Sequence, residues 1–342
     1  MSLTKKLTMG AKFVVSRLIG RTFPLAVQIS LTNRCNFRCR YCRIHTRVGE
    51  DPPLDSVFRL LREFADLGTR RFSFTGGEPL LRNDIGQIIA YAKSLGASVS
   101  VISNGALVSS KLDVLRQVDS VCISIDGPQE VTDANRVPGA FAHASRACDA
   151  LNEAGIPLHL NCVLTRNNAE RRVVRFLLDF ARRHGAYCGF LVMQTVPETS
   201  GDLSALYAER EALMECLDEI ISAHRRGEPV LFSRRSYELA RIWPDFRVPR
   251  SSDRALEGRG YPTCWAGRYF CNVDTDGMLY PCCLTIGEVP SENAYSVGVA
   301  RALSVAAQHR CRFCMSPAWI DYNRLFSLKP NALWHALRSV NI

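Results

Sequence analysis

Leu31-Thr32-Asn33-Arg34-Cys35-Asn36-Phe37-Arg38-Cys39-Arg40-Tyr41-Cys42 runs from the end of an apolar, β-branched stretch straight into three cysteines spaced C-x3-C-x2-C, with an aromatic before the last. Three thiolates in one short loop can hold three irons of a cubane [4Fe–4S] cluster, whose full ligand set is four. The fourth iron is then open to a ligand that is not protein. The same loop, completed by His45, also suits a Cys3His zinc site.

Outward from this loop a strand–helix rhythm repeats six times. Short β-branched runs at 26–31, 71–75, 98–103, 120–126, 157–164 and 188–193 read as strands, and helical patterns fall near 55–67, 84–95, 109–116, 140–154 and 168–184. Asp84 and Ser109 stand where N-caps belong, and Gly68, Gly96 and Gly155 follow helix ends. Such alternation implies a parallel sheet with helices outside it. Six units are too few for a closed eight-stranded barrel, so the α/β fold expected is a partial barrel or a doubly wound sheet. Chemistry in parallel barrels gathers at the carboxyl ends of strands. Those ends here are Leu31-Thr32-Asn33-Arg34, Thr75-Gly76-Gly77-Glu78-Pro79, Ser103-Asn104-Gly105 and Ser124-Ile125-Asp126-Gly127.

The cysteine loop after the first strand and Gly-Gly-Glu-Pro after the second resemble the radical SAM superfamily over roughly residues 25–195. The resemblance implies a partial (β/α)6 TIM-like barrel and an enzyme that reductively cleaves S-adenosylmethionine (SAM) to a 5′-deoxyadenosyl radical, which takes a hydrogen atom from substrate. By the same resemblance Cys35, Cys39 and Cys42 hold the SAM-binding [4Fe–4S] cluster. Tyr41, Gly76, Gly77, Glu78, Pro79, Asn104, Ser124, Asp126, Arg136 and Asn161 form the expected SAM-binding set. Within it Tyr41 is suited to lie against adenine, the glycines let backbone approach a ligand, Glu78 is an anionic partner for the methionyl ammonium, and Arg136 pairs with the methionyl carboxylate. Asn104 and Asn161 serve either SAM or a neighbouring turn. Cys122 and Cys162 read as core.

A second cysteine group follows. Cys264-x12-Gly277-x4-Cys282 matches the opening of SPASM/Twitch extensions, with an Asp-Gly β-hairpin turn at Asp276-Gly277. Cys311-x2-Cys314 closes the set, and no cysteine follows it. One auxiliary [4Fe–4S] cluster on Cys264, Cys282, Cys311 and Cys314 is the expectation, with a structural zinc knuckle as the alternative. Cys271 and Cys283 are spare: alternative ligands, inert thiols, or hydrogen-atom donors to a substrate radical.

The expected organisation is a basic N-terminal helix (1–24), the barrel (25–195), a helical connector lining the substrate pocket or merely packed (196–260), the auxiliary domain (261–320) and a C-terminal tail or helix (321–342). The chain has 342 residues, 47% of them apolar and 22% charged, as in ordinary globular proteins. Its fourteen cysteines, without a signal-peptide pattern, point to a reducing cytoplasm rather than a disulfide framework. Half of the net charge of +10 lies in residues 1–21, through Lys5, Lys6, Lys12, Arg17 and Arg21. That segment reads as a solvated helix under the barrel, with peripheral membrane contact left open. The pairs Arg171-Arg172, Arg182-Arg183, Arg225-Arg226 and Arg234-Arg235 could attract an anionic substrate. No nucleic acid partner is expected, for want of an aromatic-interleaved basic strip. The electron donor implied is a flavodoxin or ferredoxin.

Three functions follow in order. The first is radical chemistry on a small anionic metabolite: a sugar, nucleotide-sugar, aminocyclitol or lipid head group. The second is a peptide maturase; against it, only 34 residues precede Cys35, too few for a folded leader-recognition domain. The third is a non-catalytic iron–sulfur or zinc scaffold.

Overall fold

The computed structural model describes residues 23–194 and 203–328. The expected basic N-terminal helix therefore falls almost wholly outside the described residues, as does the chain after Leu328.

Six strands, β1 (Ala26–Ser30), β2 (Arg71–Thr75), β3 (Ser98–Ser103), β4 (Ser120–Ser124), β5 (Leu158–Leu164) and β6 (Tyr187–Val192), pair in parallel in sequence order. Alternation within each strand decides its two faces. Val99 and Val101 of β3 are fully buried against Ile85, Ile88 and Ile89 of the helix Ile85–Ser94, while Ser100 on the opposite face meets Ser73 of β2, oxygen to oxygen at 2.8 Å. Helices Leu54–Leu67, Ala140–Glu153 and Arg171–Arg183 complete the outer layer. The last buries Val173, Val174, Leu177, Leu178 and Ala181 and turns its arginines to solvent. Gly68 ends Leu54–Leu67 at φ 118°, a left-handed conformation that a side chain would strain. This is the partial barrel expected, with strand limits within two residues of the sequence reading.

Four features depart from that reading. A short helix, Gln129–Asn135, begins after Gly127-Pro128 where no helical pattern was expected, and delivers Arg136 at its end. The helical pattern near 109–116 reduces to a 3-10 turn and the four residues Leu112–Leu115. Asp84 holds the N-cap position but uses its carboxylate on Arg82 at 2.8 and 2.7 Å instead of capping. The paired arginines belong to outer-layer helices: Arg172 pairs with Glu170, Arg182 with Asp179, Arg226 with Glu219 and Glu228, Arg234 and Arg235 with Glu238. They do not reach the barrel mouth.

After the barrel, helices Arg210–Arg225 and Arg234–Arg241 pack together. Tyr237 and Trp243 are fully buried core residues, and Tyr237 accepts a hydrogen bond from the Phe190 amide at 3.0 Å. This aromatic stretch is packing, and no described residue of 203–260 lines the barrel-mouth cleft. Then β7 (Arg250–Ser251) precedes β8 (Phe270–Val273), β9 (Met278–Tyr280) and β10 (Glu292–Asn293); β11 (Phe313–Cys314) returns antiparallel to β7.

The hairpin is not a detached module. β8 runs parallel to β1, with Val27 opposite Cys271 and Ile29 opposite Val273, so β8, β9 and β10 extend the barrel sheet to nine strands in the order β10-β9-β8-β1-β2-β3-β4-β5-β6. Its turn, Asp274–Gly277, closes with Gly277 at φ 89° as the Asp-Gly pair requires. Asp274 forms a bidentate pair with Arg47 at 2.7 and 3.1 Å, and Thr275 donates to Asn33 Oδ1 at 3.0 Å. The C-terminal region is thereby bolted to the segment on either side of the first cysteine loop.

Candidate active site

Cys35, Cys39 and Cys42 stand at the mouth of the barrel, where the chain leaves β1. The loop is held by the turn after β2: Gly77 N donates to Thr32 O at 2.7 Å and Glu78 N to Arg34 O at 2.9 Å. The approach leaves no room for side chains. A Cβ on Gly76 would lie 2.4 Å from Thr32 O, and one on Gly77 2.1 Å from Arg34 O. The close contact served by these glycines is thus with the cysteine loop, and both also line the cleft in front of it.

That cleft is walled by the three cysteines, Tyr41, Gly76, Gly77, Asn104, Ser124, Arg136 and Asn161. Ten of the thirteen proposed first-site residues therefore share one cavity although they come from five strand ends. Phe37, Ile44, His45, Thr75, Ile102, Ser103 and Val163 complete it. Sequence reasoning passed over Ile102 and Val163, whose signal was their place near the ends of β3 and β5, and Phe37 and Ile44, which neighbour the cysteines in the chain. Asn104 serves the neighbouring turn, its Oδ1 accepting from Ala106 N at 3.0 Å, and donates to Asn36 Oδ1 at 2.8 Å while lining the cleft.

Three expected SAM contacts are placed elsewhere. Glu78 is wholly buried, and its carboxylate accepts from Asn104 N (2.8 Å), Ser103 Oγ (3.0 Å) and Leu80 N (3.2 Å). Burial pushes it up to about 7 against those three hydrogen bonds. It ties the end of β2 to that of β3 and does not line the cleft. Pro79 is buried as the first residue of a 3-10 turn, Pro79–Leu81, a position proline suits because its missing N–H is not needed. Asp126 lies past the end of β4, where strand alternation no longer sets its direction. It is fully buried and accepts from Tyr41 Oη at 2.9 Å, Arg136 Nη2 at 3.0 Å and Val163 N at 3.2 Å. Arg136 also ion-pairs with it through Nε at 2.8 Å, and its guanidinium lies 5.5 Å from the centre of the Tyr41 ring. Its charge is therefore balanced inside the protein, although its side chain remains on the cleft wall.

Burial raises the Cys35 thiol and pushes Cys39 up to about 12, with Arg136 opposing the rise at Cys39. All fourteen cysteines are unpaired in disulfides, so the loop offers three thiols to a metal group, whose binding expels their protons.

The second cysteine group also assembles. Cys264, Cys282, Cys311 and Cys314 are mutual electrostatic neighbours, with Cys264 and Cys311 in hydrogen-bond contact. Cys282 and Cys314 are buried; Phe270, Trp319 and Phe326 pack alongside, Phe270 and Trp319 stacked with centroids 4.8 Å apart. Among the described residues no three His, Cys, Asp or Glu side chains are gathered about a single-ion position. The donor chemistry, four soft thiols beside an aromatic wall and free of disulfides, fits an iron–sulfur group.

Of the spare thiols, Cys271 is 1% exposed and shares the helix-facing side of the sheet with Val27, opposite to the barrel interior. It cannot reach a substrate radical. Cys283 lies beside Trp319, and burial raises its thiol to about 11.

A partial barrel presenting three cysteines, a glycine-rich turn and polar strand ends in one cleft defines an enzyme built to hold a metal group and an organic cofactor at its mouth. The sequence profile of the Radical SAM superfamily matches residues 29–179. The chain is 35% identical over 272 residues to AdoMet-dependent heme synthase of Nitratidesulfovibrio vulgaris, covering 74% of this chain and 71% of that one. It is 29% identical over 275 residues to PqqA peptide cyclase of Xanthomonas axonopodis pv. citri, covering 76% and 68%. The SAM-bound crystal structure of SuiB from Streptococcus suis shares the fold, with a TM-score of 0.66 at 18% identity; the match covers 84% of this chain but 66% of SuiB, just under two thirds. The chain belongs to the radical SAM superfamily and is an enzyme whose cofactors are SAM and a [4Fe–4S] cluster. Among the described residues no helix is long and apolar enough to cross a membrane.

Proposed function

We propose that this protein is a radical SAM peptide maturase, modifying a side chain or backbone carbon of a ribosomal precursor peptide. The observation that carries the reading is the run of PqqA peptide cyclases from several bacteria, each aligned over about three quarters of this chain. It replaces the small anionic metabolite as first choice. The arginine pairs that favoured an anion lie on the outer helices, away from the cleft.

In this reading Cys35, Cys39 and Cys42 hold the SAM-binding cluster, and Cys264, Cys282, Cys311 and Cys314 hold the auxiliary one. With the cluster bound, SAM supplies a carbon radical able to abstract hydrogen from an unactivated C–H bond. The protein's own task is placement. Gly76 and Gly77 fix the cysteine loop against the β2 turn, Glu78 locks the ends of β2 and β3 behind it, and Asp126 holds Arg136 and Tyr41 as one wall. Asn104, Ser124 and Asn161 offer the polar groups that orient SAM, while Ile102 and Val163 keep water from that side.

A second reading is favoured by one observation, the 35% identity to a heme synthase, higher than to any of the peptide cyclases named here. The deciding experiment incubates the anaerobically reconstituted protein with SAM and reductant, adding either candidate precursor peptides or heme precursors. Formation of 5′-deoxyadenosine that depends on a peptide, with a mass change in that peptide, supports the proposal. Dependence on a heme precursor instead overturns it.

A further inference from the structure

The four C-terminal cysteines are not equally enclosed. Cys282 and Cys314 are buried, whereas Cys264 and Cys311 are partly exposed and line an open cleft of about 550 Å³. Four arginines, Arg254, Arg268, Arg310 and Arg312, line the same cleft, all exposed, and no carboxylate lines it. His309 is fixed by two hydrogen bonds, accepting from Cys311 N at Nδ1 (3.2 Å) and so donating from Nε2 to Ala266 O (2.9 Å); it braces the loop as a neutral ring. Glu257 pairs with Arg312 and so offsets one of these charges, leaving Arg254, Arg268 and Arg310 as the positive rim; Glu288 pairs with Arg250, and Asp253 accepts from Ala255 N. None of the residues lining this cleft lines the barrel mouth.

This open, positively charged rim around two thiols is separate from the barrel-mouth cleft. It suits a transient partner of opposite charge that must come close to the sulfur atoms. Weak redox complexes bury little area and rely on complementary charge for encounter and orientation. We propose that this arginine-rimmed cleft is the docking surface for an acidic, low-potential one-electron carrier protein of the flavodoxin or ferredoxin class. The carrier gives up one electron and the iron–sulfur group held by Cys264, Cys282, Cys311 and Cys314 gains it; no bond or proton moves. This inference rests on the reading of those four cysteines as iron–sulfur ligands.

The rival entry point is the first cysteine loop, where Arg38, Arg40 and Arg43 are also exposed. That loop stands at the barrel mouth, where a seated carrier would obstruct the substrate. The test measures binding of a purified acidic flavodoxin to the anaerobically reconstituted full chain, by fluorescence anisotropy at low and high salt. Wild type is compared with Arg254→Glu/Arg310→Glu and with Arg38→Glu/Arg40→Glu. Iron content of each protein establishes that both clusters are loaded, about eight irons for two cubanes. The expected result is salt-sensitive binding weakened about tenfold or more by the first pair of reversals and little changed by the second. Loss through the second pair alone, or no binding by wild type, overturns the proposal. About four irons with retained zinc in wild type would instead overturn the ligand reading beneath it, separately from the docking result.

Discussion

Gly77→Ala probes how the cysteine loop is held. The new methyl carbon would lie 2.1 Å from Arg34 O, 2.6 Å from Arg34 C and 2.9 Å from Asn33 O, all backbone atoms that cannot rotate aside. Ordinary carbon contacts begin near 3.5 Å, so the loop and the β2 turn must part by roughly 1 Å or more. That separation breaks the hydrogen bonds from Gly77 N to Thr32 O (2.7 Å) and from Glu78 N to Arg34 O (2.9 Å). At roughly 1 kcal/mol for each bond, and more for groups left buried, the loss is about 2–4 kcal/mol, concentrated in the loop that carries Cys35, Cys39 and Cys42. The C-terminal cysteines do not touch this turn and serve as an internal control. Iron analysis after anaerobic reconstitution should therefore fall from about eight to about four per chain, with the far-UV circular dichroism unchanged. Full iron content together with wild-type SAM binding in Gly77→Ala would refute the argument that this contact positions the loop.

Replacing Cys35, Cys39 and Cys42 together by alanine should likewise leave about four irons, and here SAM-derived 5′-deoxyadenosine should vanish; retention of about eight irons, or continued 5′-deoxyadenosine formation, would remove these residues from the site. Glu78 makes stability pH-dependent. Its folded value near 7 lies above the usual 4.5, so the folded state binds the proton more tightly and stability falls as pH rises from about 4.5 through 7. The drop is about 3 kcal/mol by linkage; urea midpoints of the metal-free, reduced protein at pH 5 and 7.5 should show it, and Glu78→Gln should flatten it. Asp126→Ala strands the Arg136 guanidinium in the interior and should cost about 3–5 kcal/mol, much of it recovered in Asp126→Ala/Arg136→Met, as a denaturation cycle would record. Cys271→Ala should lower stability modestly yet keep substrate turnover, since the thiol faces the helix layer; loss of turnover in a folded variant would return it to the chemistry.

The six parallel strands, the cysteine loop and the glycine turn were legible in the sequence because they are local. Strand alternation, helix punctuation and cysteine spacing are written within a few residues of one another, and β-branched runs such as 98–103 declare their own state. The four C-terminal cysteines were legible for the same reason, as two short spacings. What the tertiary structure decided are directions and partners. Glu78 and Asp126 sit among residues that face the cleft, yet their carboxylates turn inward, because buried amides and a hydroxyl at Glu78 need an acceptor and a buried guanidinium at Asp126 needs a counter-charge, and burial without them is costly. Cys271 looked available until the parallel pairing of β8 with β1 put it on the helix side of the sheet. That pairing joins residues more than two hundred positions apart, as do Arg47–Asp274 and Asn33–Thr275. No local pattern encodes it. It is selected by the exposed edge of β1, which must find a partner strand to satisfy its backbone groups, and it makes the C-terminal hairpin part of the barrel.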